Sequence, residues 1–274
     1  MSIDTVDSDV SLGDDGGVQV LSGATNLDLG RGLTAVGDLD GDGRAELAVG
    51  APGYNDSFMG AFWHHEGVGA VYVFFETGNQ DVDDADCVIL GEEDGADFGA
   101  SMADAGDIDG DGLGDLMIGA PGAEDEAGAA WLFTGAMLVE NLAPTEDDAE
   151  ASFYGADRRE WAGTAMLGGI DLDHDGGEDL LIGSPNATWT GPLGSGGLGI
   201  WYGPISGRHN TKNADAVIVG EGQETSAPTL LGASLAVTSP GDLIVGAPGI
   251  GATWAGDEAA TYGDGAVYAF HLGW

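Results

Sequence analysis

DIDGDGLGDLMIGAPG, residues 107–122, runs from a carboxylate-rich loop into an apolar strand that ends on Gly119-Ala120-Pro121. The closing tripeptide returns as Gly50-Ala51-Pro52, Gly183-Ser184-Pro185 and Gly246-Ala247-Pro248, at spacings of 69, 64 and 63 residues. Upstream of each lies a short opening: Leu29-Gly30, Phe98-Gly99, Trp161-Ala162 and Leu231-Gly232. Downstream lies an alternating apolar run: AVYVFF (70–75), AAWLF (129–133), LGIWY (198–202) and AVYAF (266–270). The first three units add CVIL (87–90), ASFY (151–154) and AVIV (216–219). Each unit therefore reads as four short strands punctuated by Gly, Pro and Asp, with no helix-length periodic segment.

Such a repeat predicts an all-β fold, a β-propeller of four-stranded antiparallel blades in four repeats, because one blade alone cannot bury both of its faces. The fourth unit stops after its third strand, at His271-Leu272-Gly273-Trp274, while Val18-Gln19-Val20-Leu21 offers an unassigned strand. Pairing the two would close the ring and remove exposed edges; the alternative is a segment cut from a larger propeller. Residues 1–17 read as an acidic flexible leader and 18–274 as the repeat domain.

The balance of charges decides which partners are excluded. Lys+Arg number 6 against 48 Asp+Glu, a net charge of -42 over 274 residues, so no basic face exists to neutralise a nucleic acid backbone or to bind an anionic membrane. A hydrophobic fraction of 43% nevertheless argues against wholesale disorder, and 51 glycines argue against long helices. No stretch approaches the roughly 20 apolar residues of a membrane span, and no signal peptide is visible in the first twenty residues. The single cysteine, Cys87, excludes an intramolecular disulfide framework and reads as a small core residue. Cations are the natural partners of this surface.

Three loops between the first and second strands fit that expectation. They read Asp38-Leu39-Asp40-Gly41-Asp42-Gly43-Arg44-Ala45-Glu46, Asp107-Ile108-Asp109-Gly110-Asp111-Gly112-Leu113-Gly114-Asp115 and Asp171-Leu172-Asp173-His174-Asp175-Gly176-Gly177-Glu178-Asp179. Carboxylates at positions 1, 3, 5 and 9, Gly at 6 and a carbonyl at 7 (Arg44, Leu113, Gly177) form an oxygen-donor layout for calcium, three sites in all; magnesium suits it less. Position 12 is Val49, Ile118 or Ile182 rather than the bidentate Glu of an EF-hand, so the loops belong to β-hairpins. Asp-Gly clusters also make plain solvated turns, but three in matching places point to metal. Twelve of 48 acidic residues serve these loops, and three calcium ions would bring -42 only to -36.

Phe98-Gly99, the Asp-x-Asp-x-Asp-Gly loop and Gly119-Ala120-Pro121 together resemble the FG-GAP repeat of integrin α-subunit β-propellers and related bacterial proteins. The resemblance spans about residues 18–274 and implies a propeller with calcium in hairpin loops on one face. Two departures stand out. Only the second unit has a literal Phe-Gly, and the fourth reads Thr238-Ser239-Pro240-Gly241-Asp242, keeping only the ninth-position carboxylate.

Other motifs carry less. His64-His65-Glu66 lacks the spacing that puts two imidazoles on one helical face, and Gly194–Gly199 matches the dinucleotide fingerprint but opens a strand. Asn186-Ala187-Thr188 is a glycosylation sequon by pattern only. Connections between the second and third strands hold Tyr54, Phe58, Phe62, Trp63, Trp189, Trp254 and Tyr262, on the face opposite the calcium loops. Trp63, Trp189 and Trp254 are candidate anchors for a ligand, or packing residues between blades. The expectation is a calcium-binding, non-catalytic binding or adhesion module, extracellular or at a cell surface, with an unknown protein or glycan ligand and no direct membrane insertion. The competing expectation is a catalytic or accessory propeller domain of a secreted hydrolase or lyase.

Overall fold

A computed structural model describes residues 21–22, 27–54, 67–76, 80–189, 195–220, 228–238, 242–249 and 265–271. The leader 1–17 and the aromatic or metal candidates at 58, 62–66, 254 and 262 lie outside the described residues. The fold is all-β, built from antiparallel sheets, one per repeat. The first joins β2 (Leu33–Val36), β3 (Glu46–Ala51), β4 (Ala70–Phe74) and β6 (Cys87–Leu90) in that order. The second joins β7 (Ser101–Gly106), β8 (Asp115–Ala120), β9 (Ala129–Phe133) and β10 (Ala151–Tyr154), and the third β11 (Ala165–Ile170), β12 (Asp179–Ser184), β13 (Gly197–Trp201) and β15 (Ala216–Val219). The fourth has three strands among the described residues, β16 (Ser234–Val237), β17 (Asp242–Ala247) and β18 (Ala266–His271).

Three short strands lie outside that pattern. β14 (Gly207–Asn210) pairs in parallel with β10 of the preceding unit, and β1 (Leu21–Ser22) pairs in parallel with β5 (Gln80–Asp81). Besides three 3₁₀ turns, two short segments also appear among the described residues, α1 (Ala123–Glu126), with left-handed backbone over Glu124–Glu126, and the helix α2 (Gly135–Glu140). α2, at six residues, is too short to be a helix-length periodic segment of the kind whose absence the sequence indicated. Its only fully buried apolar side chain is Leu138, too little apolar periodicity to announce a helix.

Side chains alternate between neighbouring cores. Leu116, Ile118, Trp131 and Phe133 pack against Val71, Val73 and Ile89 of the first sheet, while Met117, Ala130 and Leu132 pack against Met166, Leu180 and Ile182 of the third. Leu181 and Leu198 face Leu243 and Val245 of the fourth. Because β8, β9, β12 and β13 are covered on both faces, they read as continuous apolar runs rather than alternating ones. Cys87 is buried among the first of these cores as expected, where desolvation pushes its thiol up to about 12.

Close sheet approach depends on glycine at one recurring position. A Cβ at Gly50, Gly119 or Gly183 would overlap the carbonyl oxygen of Gly99, Gly163 or Gly232, each in the next unit. Those acceptor glycines share a left-handed backbone, φ 83, 80 and 90°, that other residues adopt only under strain. This corrects the third opening by one residue. Ala162-Gly163, not Trp161-Ala162, stands where Phe98-Gly99 does, since Ala162 bridges Gly128 as Phe98 bridges Gly69 and only glycine suits the left-handed place.

The expected closing strand falls mostly outside the described residues. Leu21–Ser22 lies against Gln80–Asp81, Val18–Val20 fall outside the described residues, and no ladder or bridge among the described residues joins the fourth sheet to the first. For a Cβ at Gly246, the fourth equivalent of Gly50, the nearest atoms among the described residues are those of Ser234 in its own sheet, not a carbonyl oxygen of another unit. Gly183→Ala is therefore expected to destabilise the fold by about 1–3 kcal/mol through overpacking. Gly246→Ala should cost less than half as much, as read from urea unfolding in dilute solution.

Candidate metal centres

Each carboxylate loop closes a hairpin. The residue at position 9 opens the second strand and pairs with the last residue of the first: Glu46 with Val36, Asp115 with Gly106 and Asp179 with Ile170. That register turns its side chain inward, so Glu46, Asp115 and Asp179 are almost wholly buried. Each accepts a hydrogen bond from the backbone N–H at position 2: Leu39 to Glu46, Ile108 to Asp115 at 2.9 Å and Leu172 to Asp179 at 2.6 Å. Leu39 and Ile108 are themselves core residues, which anchors the loop from its apolar second position.

The rest of the loop winds around the carboxylates. Asp38, Asp107 and Asp171 accept from the N–H of Gly43, Gly112 and Gly176 at 2.8, 2.9 and 3.1 Å. Asp40, Asp109 and Asp173 accept from the N–H at position 5, and Asp42, Asp111 and Asp175 accept from the N–H of Arg44, Leu113 and Gly177. The outcome is three acidic clusters that can hold metal ions: Asp38, Asp40, Asp42 and Glu46; Asp107, Asp109 and Asp115; Asp171, Asp173 and Asp179. In each, one oxygen per residue lies within 4.8 Å of the others. Oxygens that share one cation must stand this close, so each cluster could hold a metal ion.

Two observations test the fit further. Glu46 Oε1, Asp107 Oδ1 and Asp171 Oδ1 are buried without a hydrogen-bond partner, one orphaned oxygen in each cluster. Uncompensated buried oxygens cost stability that a cation would restore. Burial also raises the Asp115 carboxyl to about 7, against the pull of the Ile108 and Gly135 N–H groups and with help from Asp109 and Asp111. Glu46 and Asp179 are raised for the same first reason. Asp111 and Asp175, expected as ligands, do not join the oxygen clusters, in contrast to Asp42.

Sequence reading missed how neighbouring loops are coupled. The Glu178 carboxylate, at position 8 of the third loop, accepts from the N–H of Asp107 in the second, and Gly114 N–H donates to the Asp38 carbonyl of the first at 2.8 Å. The only available signal, a carboxylate outside the ligand positions, is too common here to notice. In the fourth unit the Asp242 N–H donates to the Thr238 hydroxyl at 3.2 Å, and its carboxylate lies 2.6 Å from Nδ1 of His271.

The opposite end of the sheets carries a different chemistry. There the Gly122–Gly128 connection holds Glu124, Asp125 and Glu126 in consecutive left-handed conformations, φ 51, 62 and 68°. Each reaches one arginine: Arg208 at 3.6 Å, Arg158 at 3.3 Å and Arg159 at 3.6 Å. Lys212 meets Asp157 at 3.0 Å, so four of the chain's six cations gather on this rim. The Arg208 guanidinium stacks 3.7 Å above the Tyr154 ring. Glu124, Asp125, Tyr154, Asp157, Arg158 and Arg208 line an open cavity of about 450 Å³ with Asn210 and Asn213. Trp189 lies half-buried on the same end, its indole N–H donating to buried Glu160 at 3.0 Å and its ring against Gly197.

Hairpin loops of this kind, on repeats that end in Gly-Ala/Ser-Pro, define the class. The FG-GAP repeat family matches residues 31–74 and 98–133. The chain carries FG-GAP repeats and is integrin α-like over rather more than half its length. It is 33% identical to integrin alpha-5 of Xenopus laevis over 152 residues, 54% of this chain and 14% of that protein. With integrin alpha-X of Homo sapiens the identity is 35% over 150 residues, 54% of this chain and 12% of the relative. With integrin alpha-7 of Mus musculus it is 36% over 166 residues, 60% and 13%. The chain thus spans only about one-eighth of the length of these relatives. The third unit, outside the family match, repeats the four-strand sheet and the carboxylate loop of the first two.

Removing carboxylates should separate structural from ligand roles. Asp115→Ala leaves two backbone donors unpaired and is expected to destabilise the metal-free protein by about 1–3 kcal/mol. Asp109→Ala, exposed, should leave the melting temperature in chelator unchanged and reduce only the stabilisation that added cation confers.

Proposed function

We propose that the chain is a calcium-stabilised propeller module, without catalytic activity, that binds a protein or glycan ligand outside the cell or at its surface. The single observation that carries this reading is the orphaned buried oxygen repeated in three equivalent clusters. Hard oxygen donors in a flexible loop select calcium over magnesium. The first strands of successive sheets run side by side, β2 with β7, β7 with β11 and β11 with β16, as propeller blades do around an axis. The family likeness to integrin α-subunits supports an adhesion role.

The calcium loops stiffen one end of the sheets and leave the other for recognition. Support for the second half comes from the cavity at the end remote from calcium, where Arg158 and Arg208 offset most of the charge of Glu124, Asp125 and Asp157 in a chain of net charge -42. An anionic or hydroxyl-rich ligand meets least repulsion there. Trp63, Trp189 and Trp254 remain proposed contributors to that rim; for Trp189, the bond to Glu160 means that substitution also removes a packing contact.

Two measurements test the reading. Chelator should lower the melting temperature and calcium restore it, with affinities on the order of 10⁻⁴–10⁻³ M, the range of exterior modules; an unchanged melting temperature would overturn calcium stabilisation. A glycan array and an extracellular-protein panel, each run with Arg208→Ala as control, should return a ligand whose binding the substitution weakens at unchanged melting temperature. Binding indifferent to Arg208 would move the interface elsewhere.

A further inference from the structure

The same inter-sheet joint occurs three times within the chain, and each half of it is present once more without its partner. On the leading side of each joint stand the glycine of the Gly-Ala/Ser-Pro turn and an apolar residue of the third strand. Gly50 and Val71 receive Gly99, while Gly119 receives Gly163 and lies beside Met166. Gly183 receives Gly232. The strand residues Val71, Ala130 and Leu198 are fully buried. Their fourth equivalent, Val267, is 72% exposed, and beside it Gly246, Ser234, Pro248 and Gly265 line an open, largely apolar cavity.

The trailing half shows the converse. Gly30 has the left-handed conformation of Gly99, Gly163 and Gly232, φ 85°, yet among the described residues a Cβ built on it would touch nothing within 4 Å. Leu33 holds the place of Met102, Met166 and Leu235; Met166 is 8% exposed and Leu33 63%. Polar contacts repeat the asymmetry. The Ser101 hydroxyl donates across its joint to the Gly163 carbonyl, whereas its equivalent, Ser234, faces the cavity. A third mark is the parallel pairing of Leu21–Ser22 with Gln80–Asp81. The corresponding connection of the third unit, Gly207–Asn210, pairs with the fourth strand of the unit before it. Leu21–Ser22 therefore stands where the fourth strand of a unit preceding the first would stand, and the fourth sheet has three strands among the described residues.

We propose that two copies of this chain join head to tail, the Gly246–Val267 face of each seating the Gly30–Leu33 edge of the other. The occupant is identified by continuity with the joint already made three times inside one chain. Two copies arranged this way present eight sheets, within the four to eight blades that propellers use, and a head-to-tail contact that closes gives a two-fold ring rather than a filament. The two copies each carry -42, so association strengthens as salt shortens the Debye length from about 10 Å at 0.1 M to about 3 Å at 1 M.

Sedimentation velocity on the full calcium-loaded chain, across protein concentration and salt, tests this. The expected result is a two-copy species favoured by salt, and at least a tenfold weaker association for Val267→Glu and for Leu33→Glu. Both side chains are exposed in the single copy, so each variant should melt like the parent when dilute. A chain that stays single at all concentrations, as closure within one chain would require, overturns the proposal. So does a two-copy species indifferent to both substitutions, or an open-ended ladder of larger species.

Discussion

A buried carboxylate at the ninth loop position is the feature on which the rest of each repeat depends. Glu46, Asp115 and Asp179 sit at the start of a central strand, inside the sheet stack, where an unpaired charge is untenable. Backbone N–H groups from the second loop position bend the loop over them, and for Asp115 and Asp179 the N–H of Gly135 and Gly203 adds a second tie from beyond the third strand. The carboxylate thus pins three segments of one unit together. The same burial creates the demand for a cation, because the exposed members of each cluster are also acidic. Stability and ligand affinity are coupled through one side chain.

Sheet stacking imposes the second constraint. Backbone meets backbone across each joint, which restricts the turn glycines and sets alternate residues of the central strands into alternate cores. Consequently the repeats are not independent: the Glu178 carboxylate crosses to the second loop, and Gly114 reaches the first. A cation bound in one loop would therefore act on an element that its neighbour also holds. The opposite rim is free of that requirement, and there the chain places its strained acidic triplet and most of its arginines.

Much of this was legible in the sequence because the repeating features are local. Strands 87–90, 129–133, 151–154 and 216–219 fall where their apolar pattern put them. What escaped was set by contacts distant in sequence. Trp161-Ala162 imitates an aromatic-small opening, but the joint is defined by the backbone angle of Gly163, visible only once Gly119 lies against it. β14, reading Gly-Arg-His-Asn, has no strand pattern because it exists only by pairing with β10. The left-handed run at Glu124–Glu126 has no glycine to announce it and is held from Arg208, Arg158 and Arg159. In the loops, Asp at position 5 accepts from the backbone N–H at position 7 in all three, and Asp42 alone of these also stands in an oxygen cluster among the described residues.

Native mass spectrometry of the protein exchanged into calcium tests the central claim most directly, since it counts retained ions on intact, folded chains. Three calcium ions per chain, falling to two in Asp109→Ala and to none in chelator, is the predicted result. Retention of no ion, or a count unchanged by Asp109→Ala, would contradict the assignment of one cation to each buried ninth-position carboxylate.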